Sequence, residues 1–256
     1  MPATDEKRVS MYLKRIGFTG GVTKKYETLH RLQRLHLQSV PYENLDIMRD
    51  IPLSLETDAL FEKIVVRRRG GYCFELNGLF AWLLRQLGFS VTEYMSRFLR
   101  DEKEIPMRRH RVLRVSAEGA DYLMDVGVGS MVPRKPLPLI CGQISEQGKE
   151  RYKLEREPFF GYVLYEWRHD EWSKVYSFTE EQQLNIDFVM PTYYCEKHPD
   201  SYFRTMDMVH MFTENGRKTV ADREVRLFSP KGVDIISPIN NAEYEELLFM
   251  HFGITL

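Results

Sequence analysis

Cysteine is scarce: three residues in 256, widely spaced and odd in number. That excludes a disulfide framework, and no C-x-x-C pair offers a zinc or dithiol site. Both absences point to a reducing compartment. Charge bias is missing as well, with 36 Lys and Arg against 37 Asp and Glu. The basic run "RRR" at 67–69 is too short to leave the electrostatic footprint of a nucleic-acid binder. There is no apolar stretch long enough to span a bilayer. The N-terminal "MPATDEKRVSMYLKRIGF" is charged and amphipathic, without the apolar core of a secretory signal. Internal repeats and low-complexity linkers are absent, so the parts of the chain are expected to pack as one unit. What remains is an ordinary globular composition, 43% hydrophobic and 29% charged. The expectation is a cytoplasmic protein with no metal, no nucleic acid and no membrane among its partners, its oligomeric state left open.

Hydrophobic periodicity divides the chain into three textures. Residues 1–88 read as a helical bundle. Val9, Tyr12, Leu13 and Ile16 form one stripe closed by Gly17; Leu29, Leu32, Leu35 and His36 form a second before Pro41. Leu60, Phe61, Ile64 and Val65 form a third that runs into "RRRGG". Cys73, Leu76, Leu79, Phe80, Leu83, Leu84 and Leu87 form a fourth, with Gly88 in the place of a left-handed C-cap. Residues 89–190 carry short β-type runs such as "SVTEYMSRFL", "RVLRVS", "DYLMDV" and "GYVLYEWRHD". Polar or glycine-bearing turns separate them, as in an antiparallel sheet or small barrel. Residues 191–256 mix strand-like "MVHMFT" and "EVRLFS" with a last helix around "NAEYEELLFMHF". The expected class is α+β.

Cys73 falls where "RRRGGYCFELNGLF" passes from a glycine-bearing loop into the fourth helix. Unpaired N–H groups and the helix dipole favour an anion there, so its thiol pKa is expected to be lowered. Cys141 and Cys195 are expected to be small buried hydrophobes. The segment "HRVLRVSAEGADYLMDVGVG" reads as a hairpin. A turn centred on Ala117-Glu118 makes His110 and Asp125 direct cross-strand neighbours. A turn centred on Glu118-Gly119 makes them diagonal, still on one face, whereas a one-residue slip separates them. Thiol, imidazole and carboxylate are the parts of nucleophile, base and orienter. The order Cys, His, Asp, with a helix feeding a hairpin, is that of papain-like and transglutaminase-like enzymes. A thiol hydrolase and a non-catalytic binding module remain open on the residues alone.

Taken in order, "VPYENLDI", "RGGYCFELNGLF" and "YLMDVGVGS" resemble the arylamine N-acetyltransferase family over nearly the whole chain. The resemblance implies a helical bundle, an antiparallel β-barrel and an α/β lid. It implies that Cys73 is acylated by acetyl-CoA as co-substrate, with His110 as base and Asp125 as orienter, and that an arylamine or hydrazine then takes the acetyl group. It also implies a structural ion pair between Arg69 and Glu43. Gly127, Val128, Gly129 and Ser130 correspond to the loop beside the CoA and acceptor cleft. Many family members carry phenylalanine where this chain has Val128, so the acceptor pocket is expected to differ in shape. Backbone N–H groups near Cys73 and Arg111 are candidate oxyanion donors. No catalytic role passes to His198 or Ser201, and His30, His36, His169, His210 and His251 are expected to be structural or surface residues.

Overall fold

The computed structural model describes residues 4–129 and 133–256. Helices α1 (Asp5–Arg15) and α2 (Tyr26–Ser39) turn their apolar stripes inward. Tyr12, Leu29 and Leu32 pack in one cluster with Leu76, Leu79, Phe80 and Leu83 of a later helix, Cys73–Gln86. Between them lie β1 (Tyr42–Glu43), α3 (Leu45–Met48) and α4 (Thr57–Phe61), which makes Cys73–Gln86 helix α5. The third stripe is not one regular helix. After α4 it loosens into a π-helical turn over Glu62–Val66, where Lys63 is buried beside Ile64 and Val65. The left-handed glycine expected after α5 is present, Gly88 having φ +82°.

The middle of the chain forms β2 (Ser90–Phe98), β3 (His110–Ala117), β4 (Ala120–Met124) and β5 (Leu137–Pro138). It continues with β6 (Ser145–Gln147), β7 (Glu150–Glu157), β8 (Gly161–Arg168) and β9 (Glu171–Gln182). These eight strands make an antiparallel sheet in the order β5-β4-β3-β2-β9-β8-β7-β6. Its ends curl towards each other: a bridge joins Cys141 to Leu154, and the Gly142 N–H donates to the Leu154 carbonyl at 2.8 Å. The result is a nearly closed barrel. Cys141, expected to be buried, is exposed at this seam, while Cys195 is fully enclosed. The seam is a sheet edge, where nothing packs over the side chain.

Helix α6 (Val189–Lys197) precedes β10 (Met208–Phe212), β11 (Arg217–Ala221), β12 (Glu224–Ser229) and β13 (Gly232–Ile236). Helix α7 (Asn241–Phe252) follows and packs Tyr244, Leu247, Leu248 and Phe252 on Val209, Val220 and Val225. The second sheet has the order β1-β10-β11-β12-β13. Strand β1 belongs to the helical stretch in sequence, yet it pairs Tyr42 with His210 and Glu43 with Val209. These two residue pairs thus tie the N-terminal third to the C-terminal third. Among the described residues, no helix is long and apolar enough to cross a membrane.

Candidate active site

Strand register decides whether the imidazole and the carboxylate meet. In the β3–β4 hairpin Ala117 faces Ala120 and Leu113 faces Met124. The turn is therefore Glu118-Gly119, both in the left-handed region at φ 52° and 76°. Such a two-residue turn matches the right-handed twist of its strands. His110 opens β3 and Asp125 follows directly on β4, so the two lie diagonally on one face. Their side chains meet, with His110 Nε2 and Asp125 Oδ2 2.7 Å apart. Both are enclosed.

Asp125 is itself held from two sides. Its Oδ1 accepts from the Gly127 N–H at 2.8 Å and from Asn77 Nδ2 at 2.8 Å. Asn77 is fixed in turn. Its Nδ2 donates to the Arg111 carbonyl at 2.6 Å, and its Oδ1 accepts from the Val126 N–H at 2.9 Å. No role was expected for Asn77, although the signal was available: it lies four residues after Cys73, on the same helical face, as a polar residue in an apolar stripe. The Tyr176 ring sits against His110, with centroids 5.4 Å apart. Burial and the negative charge of Asp125 both push the Tyr176 hydroxyl pKa up.

Cys73 is the first residue of α5, and Tyr72 before it is extended. The Tyr72 N–H donates to the Glu75 carboxylate at 3.0 Å, which anchors the helix start. Glu75 leads into a run of buried charges. Lys63 Nζ lies 2.8 Å from Glu75 and 2.7 Å from Asp46, and Arg69 Nη2 lies 2.8 Å from Asp46. Arg69 also grips Glu43 with two bonds of 2.9 Å. Burial works to raise the Asp46 pKa, but Lys63 and Arg69 together hold it below the usual carboxylate range. Removing one partner from such a buried set costs about 3–5 kcal/mol, because the charge left behind has no water to replace it. Lys63, Asp46 and Glu75 were not among the expected site residues; their spacing in sequence carries no signal of the cluster. The glycine before Cys73 serves this framework too: a Cβ on Gly70 would lie 2.0 Å from the Pro41 carbonyl oxygen. The close neighbour there is protein backbone.

The thiol pKa is not lowered, as its helix position suggested. Burial pushes the Cys73 thiol well above its ordinary value, and Cys195 and Asp125 add to the rise. Backbone N–H groups of Phe74 and Arg111 pull the other way with less effect. Cys73 is only 3% exposed, so desolvation of a lone thiolate outweighs the dipole of one helix end. A stable thiolate here requires a cation beside it. The sulfur lies 3.7 Å from the carbonyl of Arg109, the residue before His110. The Arg111 side chain is committed elsewhere: it pairs with Glu93 and stacks over the Phe188 ring, 4.2 Å from its centroid.

Cys73 and His110 open onto one cavity of about 290 Å³. Gly127 and Val128 line it, with Tyr42, Phe98, Arg109 and Phe203. A Cβ on Gly127 would lie 2.7 Å from Cys73 Cα, so only glycine lets this loop pass the nucleophile. His210, expected to be structural or surface, lines the same cavity because β10 closes over the barrel mouth. Gly129 touches His210, and Ser130 lies outside the described residues.

A model of the N-acetyltransferase family matches residues 25–256. An arylamine N-acetyltransferase of Mycolicibacterium smegmatis is 35% identical over 251 residues, spanning 96% of this chain and 91% of the relative. The chain belongs to the arylamine N-acetyltransferase family. Among solved structures, the arylamine N-acetyltransferase of Salmonella typhimurium matches with a TM-score of 0.92 at 28% identity, over 96% of this chain and 91% of that one. The Mycobacterium marinum arylamine N-acetyltransferase in complex with CoA matches with a TM-score of 0.88 at 32% identity, over 96% and 92%. Members of this family are acyltransferases, and this chain is an enzyme of that class.

Proposed function

We propose that this chain acetylates arylamines and arylhydrazines from acetyl-CoA by a two-step mechanism through an acetyl-Cys73 thioester. The observation that carries the reading is the 2.7 Å His110–Asp125 pair on the wall of the cavity that Cys73 shares. Asp125 occupies Nε2, which leaves Nδ1 as the nitrogen that takes the thiol proton. Transfer of that proton creates thiolate and imidazolium together, so the buried site gains a pair and not a lone anion. This offsets the desolvation that opposes ionisation of Cys73. The arrangement is then papain-like, with Asp125 stabilising the imidazolium.

In the first step the Cys73 sulfur attacks the thioester carbonyl. Backbone N–H groups of Phe74 and Arg111, which act to lower the Cys73 thiol pKa, are the candidate donors to the developing oxyanion. The CoA sulfur leaves and takes the proton from His110. In the second step the amine nitrogen attacks acetyl-Cys73 and gives a proton to His110, and the Cys73 sulfur leaves as a thiol. Thioester and thiol are close in energy, so a cysteine suits an acyl carrier that must load and unload. The cavity walls are mostly apolar, as suits an aromatic acceptor. All three cysteines are free, in keeping with a cytoplasmic location.

Mixing enzyme with acetyl-CoA and no amine tests this. One equivalent of CoA should appear in a burst, with one acetyl group mapped to Cys73 by mass spectrometry. An arylamine should then discharge it, and steady-state rates should give parallel double-reciprocal lines. Cys73→Ser should lose the burst. Continuous turnover of acetyl-CoA without amine would identify a thiol hydrolase, and an unmodified Cys73 under saturating acetyl-CoA would refute the mechanism.

A further inference from the structure

His210 borders the cavity and has no place in the proposed acyl transfer. Strand β10 alternates about it. Val209 faces α7 in the second core, while Met208 and His210 face the cavity. Pairing with Tyr42 on one side and Thr219 on the other fixes the backbone. The ring is held as well. It meets the Tyr42 ring edge-on at 5.9 Å, and it lies so close to Gly129 that a Cβ there would stand 2.9 Å from His210 Cβ and Cγ. Gly129 also has φ +60°, so its lack of a side chain serves both the turn and the imidazole. The "GVG" loop thus passes between Cys73 on one side and His210 on the other.

The protonation of this ring follows from its surroundings. Burial, with the positive charge of Arg217 adding, lowers the His210 pKa to about 4, so the imidazole is neutral near pH 7. Nδ1 is shut away from solvent with no hydrogen-bond partner among the described residues. Among the described residues a proton there would be a buried donor without an acceptor, so the single N–H belongs on Nε2, the nitrogen able to reach a ligand. Around it the cavity is lined by Arg109 and by no aspartate or glutamate among the described residues. The site therefore offers a preset donor to a hydrogen-bond acceptor, beside an arginine whose Nη2 is paired with Glu102 at 2.9 Å.

We propose that His210 is a specificity-determining residue that donates Nε2–H to an anionic, hydrogen-bond-accepting substituent on the acceptor, selecting aromatic amines that carry a carboxylate. The selection deepens the acetyltransferase reading and rests on it for the identity of the acceptor. It is separate from the triad, because His210 holds the far end of the substrate and moves no proton in the reaction. Preorganisation on a central strand makes the contact selective: the ring has no freedom to lose on binding.

The test compares 4-aminobenzoate with 4-ethylaniline, similar in bulk and different in charge, in the wild type, His210→Phe and His210→Gln. Phenylalanine keeps a ring against Tyr42 and Gly129 but has no N–H. Glutamine keeps a donor. The ratio of kcat/KM for the acid to that for the apolar amine should fall about tenfold or more in His210→Phe, the range of a hydrogen bond to a charged group. It should recover in part in His210→Gln. Equilibrium binding of both amines by calorimetry is measured on the same proteins and should show the same change in ratio. If neither amine is acetylated by the wild type but the binding ratio shifts as stated, the acetyltransferase reading fails and the His210 assignment stands. A ratio within about twofold of wild type in His210→Phe overturns it. So does an equal loss for both amines, or a His210→Gln variant that loses the ratio as fully as His210→Phe.

Discussion

Replacing Asp125 with asparagine changes one atom, and the surrounding bonds dictate where that atom goes. The carboxylate oxygen Oδ1 accepts two N–H donors, from Gly127 and from Asn77. Asn77 cannot turn to relieve them, because its own amide is fixed by the Arg111 carbonyl and the Val126 N–H. Placing the new NH₂ group against those donors would leave two buried N–H groups unpaired, at about 1–3 kcal/mol each. The amide oxygen therefore keeps that position by a factor of about 30 or more. The NH₂ must then face His110 Nε2 and donate to it. That forces the imidazole proton onto Nδ1, where it blocks the lone pair that should receive the Cys73 proton. The charge that stabilises imidazolium is lost as well. In the serine-protease triad the same exchange costs ~10⁴ in rate. Asp125→Asn should accordingly lose about 10³-fold or more in the rate of the CoA burst, measured by rapid quench with intact-protein mass spectrometry. The fold should stay intact, with Tm within about 4 °C of wild type. A variant that loads acetyl on Cys73 at more than about a tenth of the wild-type rate would refute the tautomer argument.

Cys73 should react quickly with iodoacetamide at pH 7, and His110→Gln should slow it about tenfold or more, since burial then opposes a lone thiolate. Exposed Cys141 serves as the internal reference in the same peptide map, and enclosed Cys195 should stay unlabelled in the folded protein; equal Cys73 rates in both proteins would contradict the pairing. Val128→Phe should reorder arylamines by bulk, by about 1–3 kcal/mol across the series, while the CoA burst changes much less. One common factor for every acceptor and for the burst would show that Val128 does not shape the pocket. His36 is fully buried, accepts or donates one bond to the Tyr12 hydroxyl at 3.0 Å, and has its pKa lowered to about 3 by burial, with Arg15 adding. The unfolded chain takes up a proton there near pH 6.5 and the folded protein does not. Stability from this group is therefore complete above that pH and is lost as pH falls towards 3, by about 2 kcal/mol at pH 5. Urea unfolding at pH 7 and pH 5 should show that difference in the wild type and not in His36→Phe; equal pH dependence in both would remove His36 as its source.

Much of the architecture was legible because it is written in short-range pattern. The stripes of α1, α2 and α5, the glycine after α5 and the main barrel strands follow from side-chain period and turn chemistry, which act within a few residues. The same local logic placed Cys73 at a helix start. It also offered two registers that put His110 and Asp125 on one face and a one-residue slip that would separate them, and the Glu118-Gly119 turn chose among these. The two-residue strand β1 was not legible, since its pairing partner lies more than 160 residues away. Nor was the loosening of the third stripe into a π turn, where Lys63 turns towards acids from two other segments.

The electrostatic character of the site was decided only by tertiary structure. A helix start predicts a lowered thiol pKa, yet enclosure of Cys73 by the barrel and by the layer containing Cys195 reverses the direction. His210 reads as one polar residue in a strand, and it becomes part of the cavity wall only because β10 docks beside β1. Cys141 reads as a core residue and lies on an exposed seam. Local sequence sets dihedral preferences and which face of an element is apolar. Desolvation and charge pairing depend on every segment that packs around a group, and those segments meet only when the chain has folded.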